Sequence, residues 1–297
     1  MDFATAAAQL TAFNIAATAA RPGISHLVSR ETRELAARFL EGRPRLRFWL
    51  GMSKRPGFHR WFDRYQALKV PGLALHQTLR NLSLEEAALH GLEAGMEQVL
   101  FLGGGFDTMA ARLARLYPSA RFLELDHPIL QAAKRRVLEQ TGLLPPNLAL
   151  APMDPERPDL KNGPALPGFR PGQPTLVLCE GLLMRLSRKA AERVFADLAA
   201  LPCPVLRFVF TFMEPDSRGH LAYRGGSRLT GAWLRRRGWS FTWGLPAHEM
   251  GGFLARHGFI LEEIADAEVF RARFLSGLPG AVLAEGEKVA IASRWAR

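Results

Sequence analysis

Cysteine is nearly absent: Cys179 and Cys203 are the only two in 297 residues. At most one bridge can form, which excludes a disulfide framework and a cysteine-built zinc cluster and makes a reducing, cytoplasmic compartment the expectation. Long apolar runs are missing too. None reaches the roughly 18 to 20 residues of a membrane-spanning helix, so the chain is not expected to be integral to a membrane. The alanine-rich start from Ala4 to Ala20 has Asp2 where a signal peptide needs positive charge, and Gln9 and Asn14 interrupt it. It reads as a packed helix. Lysine is scarce, so arginine carries most of the formal charge of +11. The basic residues gather in two stretches, Arg43 to Arg64 and Arg224 to Arg237, each readable as a local positive field or as a solvated face.

What is present is an ordinary globular composition, 48% hydrophobic and 23% charged, with room for one large α/β domain or two smaller ones. No internal repeat or low-complexity linker divides it. From Gln98 onward, short β-rich runs alternate with amphipathic segments. Seven strands are expected, at 98–102, 121–125, 147–151, 175–179, 205–212, 259–264 and 288–293. This alternation predicts an α/β fold with a doubly wound, mostly parallel sheet. The last two runs are joined by a segment holding Gly277, Pro279 and Gly280, which favours a closing antiparallel strand. Residues 1–97 show helical periodicity broken at Gly and Pro, and read as a helical cap continuous with a core of residues 98–297. The proline-rich stretch from Pro145 to Pro174 is expected to be a loop-rich excursion.

Leu100-Phe-Leu-Gly-Gly-Gly-Phe-Asp-Thr108 is an apolar strand running through glycines into a helix, a context that lets backbone amides approach a ligand. About twenty residues on, the next strand ends in Glu124-Leu-Asp126, where a carboxylate can meet ribose hydroxyls. An adenosine-containing cofactor is implied. The dinucleotide fingerprint fails at its third glycine, because Thr108 follows Gly103 and Gly105. Asp107 beside the loop suits a pyrophosphate poorly and a cation such as S-adenosylmethionine better, although Asp107 can equally cap the following helix.

These residues carry a family resemblance. Gln98-Val-Leu-Phe-Leu-Gly-Gly-Gly-Phe-Asp-Thr-Met-Ala-Ala-Arg-Leu113 resembles the glycine-loop signature of the leucine carboxyl methyltransferase family, a Rossmann-like group dependent on S-adenosylmethionine. Phe122-Leu-Glu-Leu-Asp-His-Pro128 with Lys134, Cys179-Glu-Gly-Leu-Leu-Met-Arg-Leu186 and Gly238-Trp-Ser-Phe-Thr-Trp-Gly244 followed by Phe253–Phe259 are similar to its later motifs, in order. The resemblance implies that Arg80 holds the cofactor carboxylate, Gly103 and Gly105 its backbone cradle, Asp126 the ribose, Asp154 the adenine amino group and Glu180 the methionyl end. Three of these have a plainer alternative: a surface arginine for Arg80, a salt bridge to Lys134 or Arg135 for Asp126, an Asp-Pro turn for Asp154.

The chain departs from the family at Met109, where an arginine is usual, and at Arg185, where a tyrosine is usual. The first 75 residues match poorly. Arg185 is the candidate for positioning an acidic acceptor, with pairing to an acid such as Glu192 as its alternative. Cys179 reads as a core residue. His76, His127, His220, His248 and His257 make no metal-ligand spacing, so no metal is expected. Trp233, Trp239 and Trp243 either wall an apolar pocket or pack a helix layer.

The function implied is O-methylation of a small, carboxylate-bearing acceptor, with no membrane partner and self-association left open. Two other classes stand beside it: an RNA-modifying enzyme of the tRNA-acting branch, which the lack of aromatic–basic interleaving disfavours, and a cofactor-binding scaffold without catalysis.

Overall fold

The computed structural model describes residues 3–21, 23–161, 166–226, 240–278 and 280–296. Trp233, Trp239 and most of the second basic stretch lie outside the described residues. Five helices come first: α1 (Phe3–Thr18), α2 (Arg30–Arg38), α3 (Pro44–Met52), α4 (Phe58–Ala67) and α5 (Leu73–Glu93). The sheet strands are β1 (Gln98–Leu102), β2 (Arg121–Asp126), β3 (Leu148–Pro152), β4 (Thr175–Cys179), β5 (Val205–Met213), β6 (Ile260–Ala265) and β7 (Glu287–Trp295). Between them run α6 (Met109–Leu116), α7 (Pro128–Gln140), α8 (Arg188–Ala199), α9 (Ala247–Arg256) and α10 (Ala267–Phe274). All seven expected strands form, and the fold is the mostly parallel α/β sheet that the alternation predicts.

The strand order is β3-β2-β1-β4-β5-β7-β6, with β7 antiparallel between β5 and β6. The middle strands β1 and β4 are buried at every residue, which is why, after Gln98 and Thr175 at their starts, their sequences are continuous apolar runs rather than alternating ones. The chain moves to β2 and β3 on one side of β1, then returns to β4 on the other. That reversal opens a crevice beyond the carboxyl ends of the strands, and Leu102, Asp126 and Cys179 end at it.

One face of the sheet is covered by α5, α6 and α10. Leu79, Ala88, Leu113 and Phe270 pack there with Val99, Leu176 and Val289. The other face is covered by α8 and α9, where Phe195 meets Phe208, Phe210, Phe253 and Phe259 with ring centroids 4.9–6.5 Å apart. Trp243 packs against Phe195 and Phe253 and is buried, so it belongs to this layer.

Helix α1 is the packed helix expected of the alanine-rich start. Ala12, Ala16 and Ala17 let it lie close to its neighbours, and Asn14 donates to Gln77 of α5 at 2.7 Å. At the far end of the sheet, Asp266 caps α10 by accepting from the amides of Glu268 and Val269. Asp266→Ala should cost about 1 kcal/mol. Urea unfolding measures it, and an unchanged midpoint would remove the cap from the account.

Candidate cofactor site

The loop after β1 crosses the mouth of the crevice. Gly103 and Gly105 hold φ of +73° and +53°, backbone that favours glycine. Gly104 is required for a different reason. A Cβ there would stand 2.6 Å from the carboxyl carbon of Glu124, so no side chain fits. The Gly105 amide donates to Asp126 Oδ2 at 2.5 Å, and the His127 amide donates to Oδ1 at 2.6 Å. Asp126 is thus fixed against the loop at the end of β2. Burial raises its pKa, and the two amides and Lys134 pull against that rise.

Lys134 itself bonds both oxygens of Glu124, at 2.8 and 2.6 Å, inside the core. Burial lifts the Glu124 carboxyl to about 7 against the pull of Lys134. Arg135 turns to the Leu150 carbonyl and toward Glu139. Neither cation forms the plain salt bridge to Asp126 that the sequence leaves open.

Across the crevice, Glu180 follows the last residue of β4 and is nearly buried. Arg80 of α5 donates to Glu180 Oε1 through Nε at 2.8 Å, and its Nη1 donates to Glu287 Oε1 at 2.6 Å. Asn81 bridges Glu180 Oε2 at 2.8 Å and Asp107 Oδ2 at 3.1 Å. The other oxygen of Asp107 accepts from the amides of Thr108 and Met109, so Asp107 both holds the entry to α6 and faces the crevice. Burial raises the Glu180 pKa, Arg80 opposes that rise, and Asp107 adds to it.

Behind Arg80 lies a network that the sequence reading missed. Glu287, at the start of β7, accepts from Arg80, from Tyr223 Oη at 2.7 Å, and lies 3.2 Å from His76 Nε2. Burial alone would raise its pKa, but Arg80, His76 and Tyr223 together hold the carboxyl at about 2. The available signal was an acid opening a closing apolar strand, the mirror of Glu180 at the end of β4. Asn81 gave no signal at all, since an asparagine beside Arg80 on a helix is unremarkable.

A cavity at this point is lined by the glycine loop, Asp107, Asp126, Glu180 and Arg80, and by Ala7, Ala8, Thr11 and Ala12 of α1. The small α1 residues matter because a Cβ on Gly105 would already stand 3.4 Å from that of Ala8. Arg185 lies on the turn Leu183–Arg185 just after Glu180, and it lines the same cavity. Burial and the nearby Arg80 lower its pKa, while Tyr223 and Glu287 raise it. Glu192, its sequence alternative, pairs with Arg188 at 2.9 Å.

Asp154 is placed differently. It is exposed, its Oδ1 accepts from the Glu156 amide at 3.0 Å, and it is absent from the cavity wall that Pro155 and Glu156 help form. The turn chemistry of Asp-Pro-Glu accounts for that orientation. Burial pushes the Cys179 thiol up to about 12, which leaves it an inert core residue. Among the described residues no group of three or more His, Cys, Asp or Glu side chains is placed to hold a metal ion.

The donor set fits S-adenosylmethionine. Asp107, Asp126, Glu156 and Glu180 bring four carboxylates to the wall, against the guanidinium groups of Arg80 and Arg185. That excess of negative charge repels a diphosphate and attracts a sulfonium with an ammonium group. Arg80 spends three donor contacts on Glu180 and Glu287, and its guanidinium has further N–H groups beyond them. Sheet order and glycine loop together define a Rossmann-like α/β fold whose crevice carries a donor set suited to S-adenosylmethionine. A family model described as leucine carboxyl methyltransferase matches residues 8–199, and the chain belongs to that family.

Among curated relatives, a provisionally named S-adenosyl-L-methionine-dependent methyltransferase of Mycobacteroides abscessus is 35% identical over 113 residues, 38% of this chain and 37% of that one. Another so named, from Parafrankia sp., is 31% identical over 179 residues, 54% of this chain and 56% of that one. The matches therefore span between about a third and just over half of those relatives. A solved structure of a provisionally assigned methyltransferase from Thermobifida fusca shares the fold, with a TM-score of 0.57 at 20% identity over 88% of this chain and 94% of that one.

Proposed function

We propose that the protein transfers a methyl group from S-adenosylmethionine to an oxygen of a small, carboxylate-bearing acceptor. The observation that supports this reading is the placement of Arg185, on the turn after Glu180, in the wall of the same cavity as Arg80 and the glycine loop. A guanidinium in the wall offers an acceptor carboxylate the planar donor fork that suits it.

When bound, the cofactor supplies an electrophilic methyl on its sulfonium. Asp126 takes the ribose hydroxyls, Glu180 and Asp107 face the positive methionyl end, and the remaining donors of Arg80 take its carboxylate. Gly103 to Gly105 let the backbone approach. An acceptor carboxylate is already ionised near neutral pH and needs no base. The groups at this end agree with that. Burial holds the Tyr223 phenol well above its usual range and its hydroxyl donates to Glu287, so it is a hydrogen-bond donor rather than a base. What the chain contributes is alignment and exclusion of water, with α1 closing the loop side of the cavity.

Kinetics with a panel of small acids and matched alcohols test this. Arg185→Tyr, the residue usual in the family, should lower kcat/KM for the preferred acid by about tenfold, or about 1.4 kcal/mol, and leave cofactor affinity within twofold. Equal kcat/KM in the two proteins would take the acceptor role away from Arg185.

A further inference from the structure

The segment from Arg43 to Lys69, which holds α3 and α4, contains eight Lys or Arg residues and one acid, Asp63. That acid is itself paired with Arg21 at 3.0 Å. Most of the chain's net charge of +11 is therefore concentrated in about a tenth of its length. The same segment exposes apolar surface. Phe48, Trp49, Trp61, Tyr65 and Leu68 are 38% to 75% exposed, and they make up five of the eleven large apolar side chains left open to solvent among the described residues. Such concentration marks a contact surface rather than the scatter normal for a soluble protein. The sequence reading saw no aromatic–basic interleaving; α3 and α4 provide it once the two helices are brought together.

The rings are arranged in a way that selects among polyanions. Trp49 stacks on Trp61 at 5.0 Å and 8°, and Trp61 stacks on Tyr65 at 5.7 Å and 11°. Phe48 meets Trp49 edge-on at 5.4 Å, and Lys69 Nζ sits 4.7 Å above the Tyr65 ring. The ladder's inner faces are occupied by neighbouring rings. Nucleic-acid bases bind such proteins by stacking on open aromatic faces. Here the rings offer edges, with Phe48 and Leu68 beside them and Arg45, Arg47, Lys54, Arg55, Arg60 and Arg64 exposed around them.

Apolar edges that enter the headgroup boundary, ringed by cations that meet lipid phosphates, match an interfacial face. We propose that the α3–α4 face docks the protein on an anionic phospholipid surface. No helix of the described residues is long and apolar enough to cross a membrane, so the contact is peripheral. It also lies one helix from the cavity. Phe62 of α4 packs edge-on against Phe13 of α1 at 6.0 Å, and the adjacent Thr11 and Ala12 line the cofactor cavity. A docked protein would thus have its methyl-transfer site close to the lipid surface, where amphipathic acids accumulate.

Cosedimentation of the full chain with phosphatidylcholine vesicles, with and without 40 mol% (about two in five lipids) phosphatidylglycerol, tests the proposal. Binding should require the anionic lipid and fall steeply between about 50 and 500 mM salt. Trp61→Ser should reduce the bound fraction at least fivefold. Arg60→Glu with Arg64→Glu should do so as well, which keeps the test open if the tryptophan variant fails to fold. Equal binding to neutral vesicles, no binding to either, or binding to a single-stranded RNA oligonucleotide without binding to vesicles would each overturn it.

Discussion

Asp126→Ala should weaken binding of S-adenosylhomocysteine by at least tenfold and by as much as a hundredfold, about 1.4 to 2.8 kcal/mol. The carboxylate is held by the amides of Gly105 and His127, so it meets a ribose without reorganising, and alanine removes both the acceptor and the bond that shapes the loop. Asp126→Asn separates the two effects. It keeps one oxygen for the Gly105 amide but loses the charge, and should fall between wild type and alanine. Calorimetric titration checks the series, with thermal unfolding as the control that the fold persists. Wild-type affinity in Asp126→Ala would place the nucleoside elsewhere.

The second large effect concerns Glu287 and acid. Its carboxyl is held at about 2 in the folded chain, against an ordinary value near 4.5 when unfolded. A depressed carboxylate contributes stability above the unfolded pKa, and that stability is lost as pH falls from 4.5 toward 2. The difference corresponds to about 3 kcal/mol. Other carboxylates titrate in the same window, so the comparison is with Glu287→Gln, which cannot titrate. Urea unfolding at several pH values should show the gap between the two proteins narrowing as pH falls from 5 toward 2.5. A gap independent of pH would mean that Arg80 and His76 do not hold Glu287 as described.

The sheet was legible because β1 and β4 are buried on both faces and carry no polar interruption, and because each glycine that ends a neighbouring element stands where the chain turns. The acids at strand ends were legible for the same reason: Asp126 and Glu180 close apolar runs, where a charge needs a purpose. Asp154 follows the same sequence rule, yet its own backbone turn draws the carboxylate to the Glu156 amide, a competition that a motif match does not register. Glu287 and Tyr223 were missed because they lie far along the chain from Arg80, and Glu287 meets Arg80 and Tyr223 only when β7 inserts beside β5. The aromatic ladder was missed because Trp49 and Trp61 lie on different helices, so neither helix alone shows it.

The central claim is that the crevice beyond β1 and β2 takes a sulfonium nucleoside rather than a dinucleotide. Calorimetry of the wild-type protein with S-adenosylhomocysteine and, separately, with NADH tests it most directly. Binding of S-adenosylhomocysteine is expected at roughly micromolar concentration, about −8 kcal/mol, with no measurable heat from NADH. Binding of NADH with no response to S-adenosylhomocysteine would contradict both the reading of the four carboxylates in the cavity wall and the methyl transfer built on it.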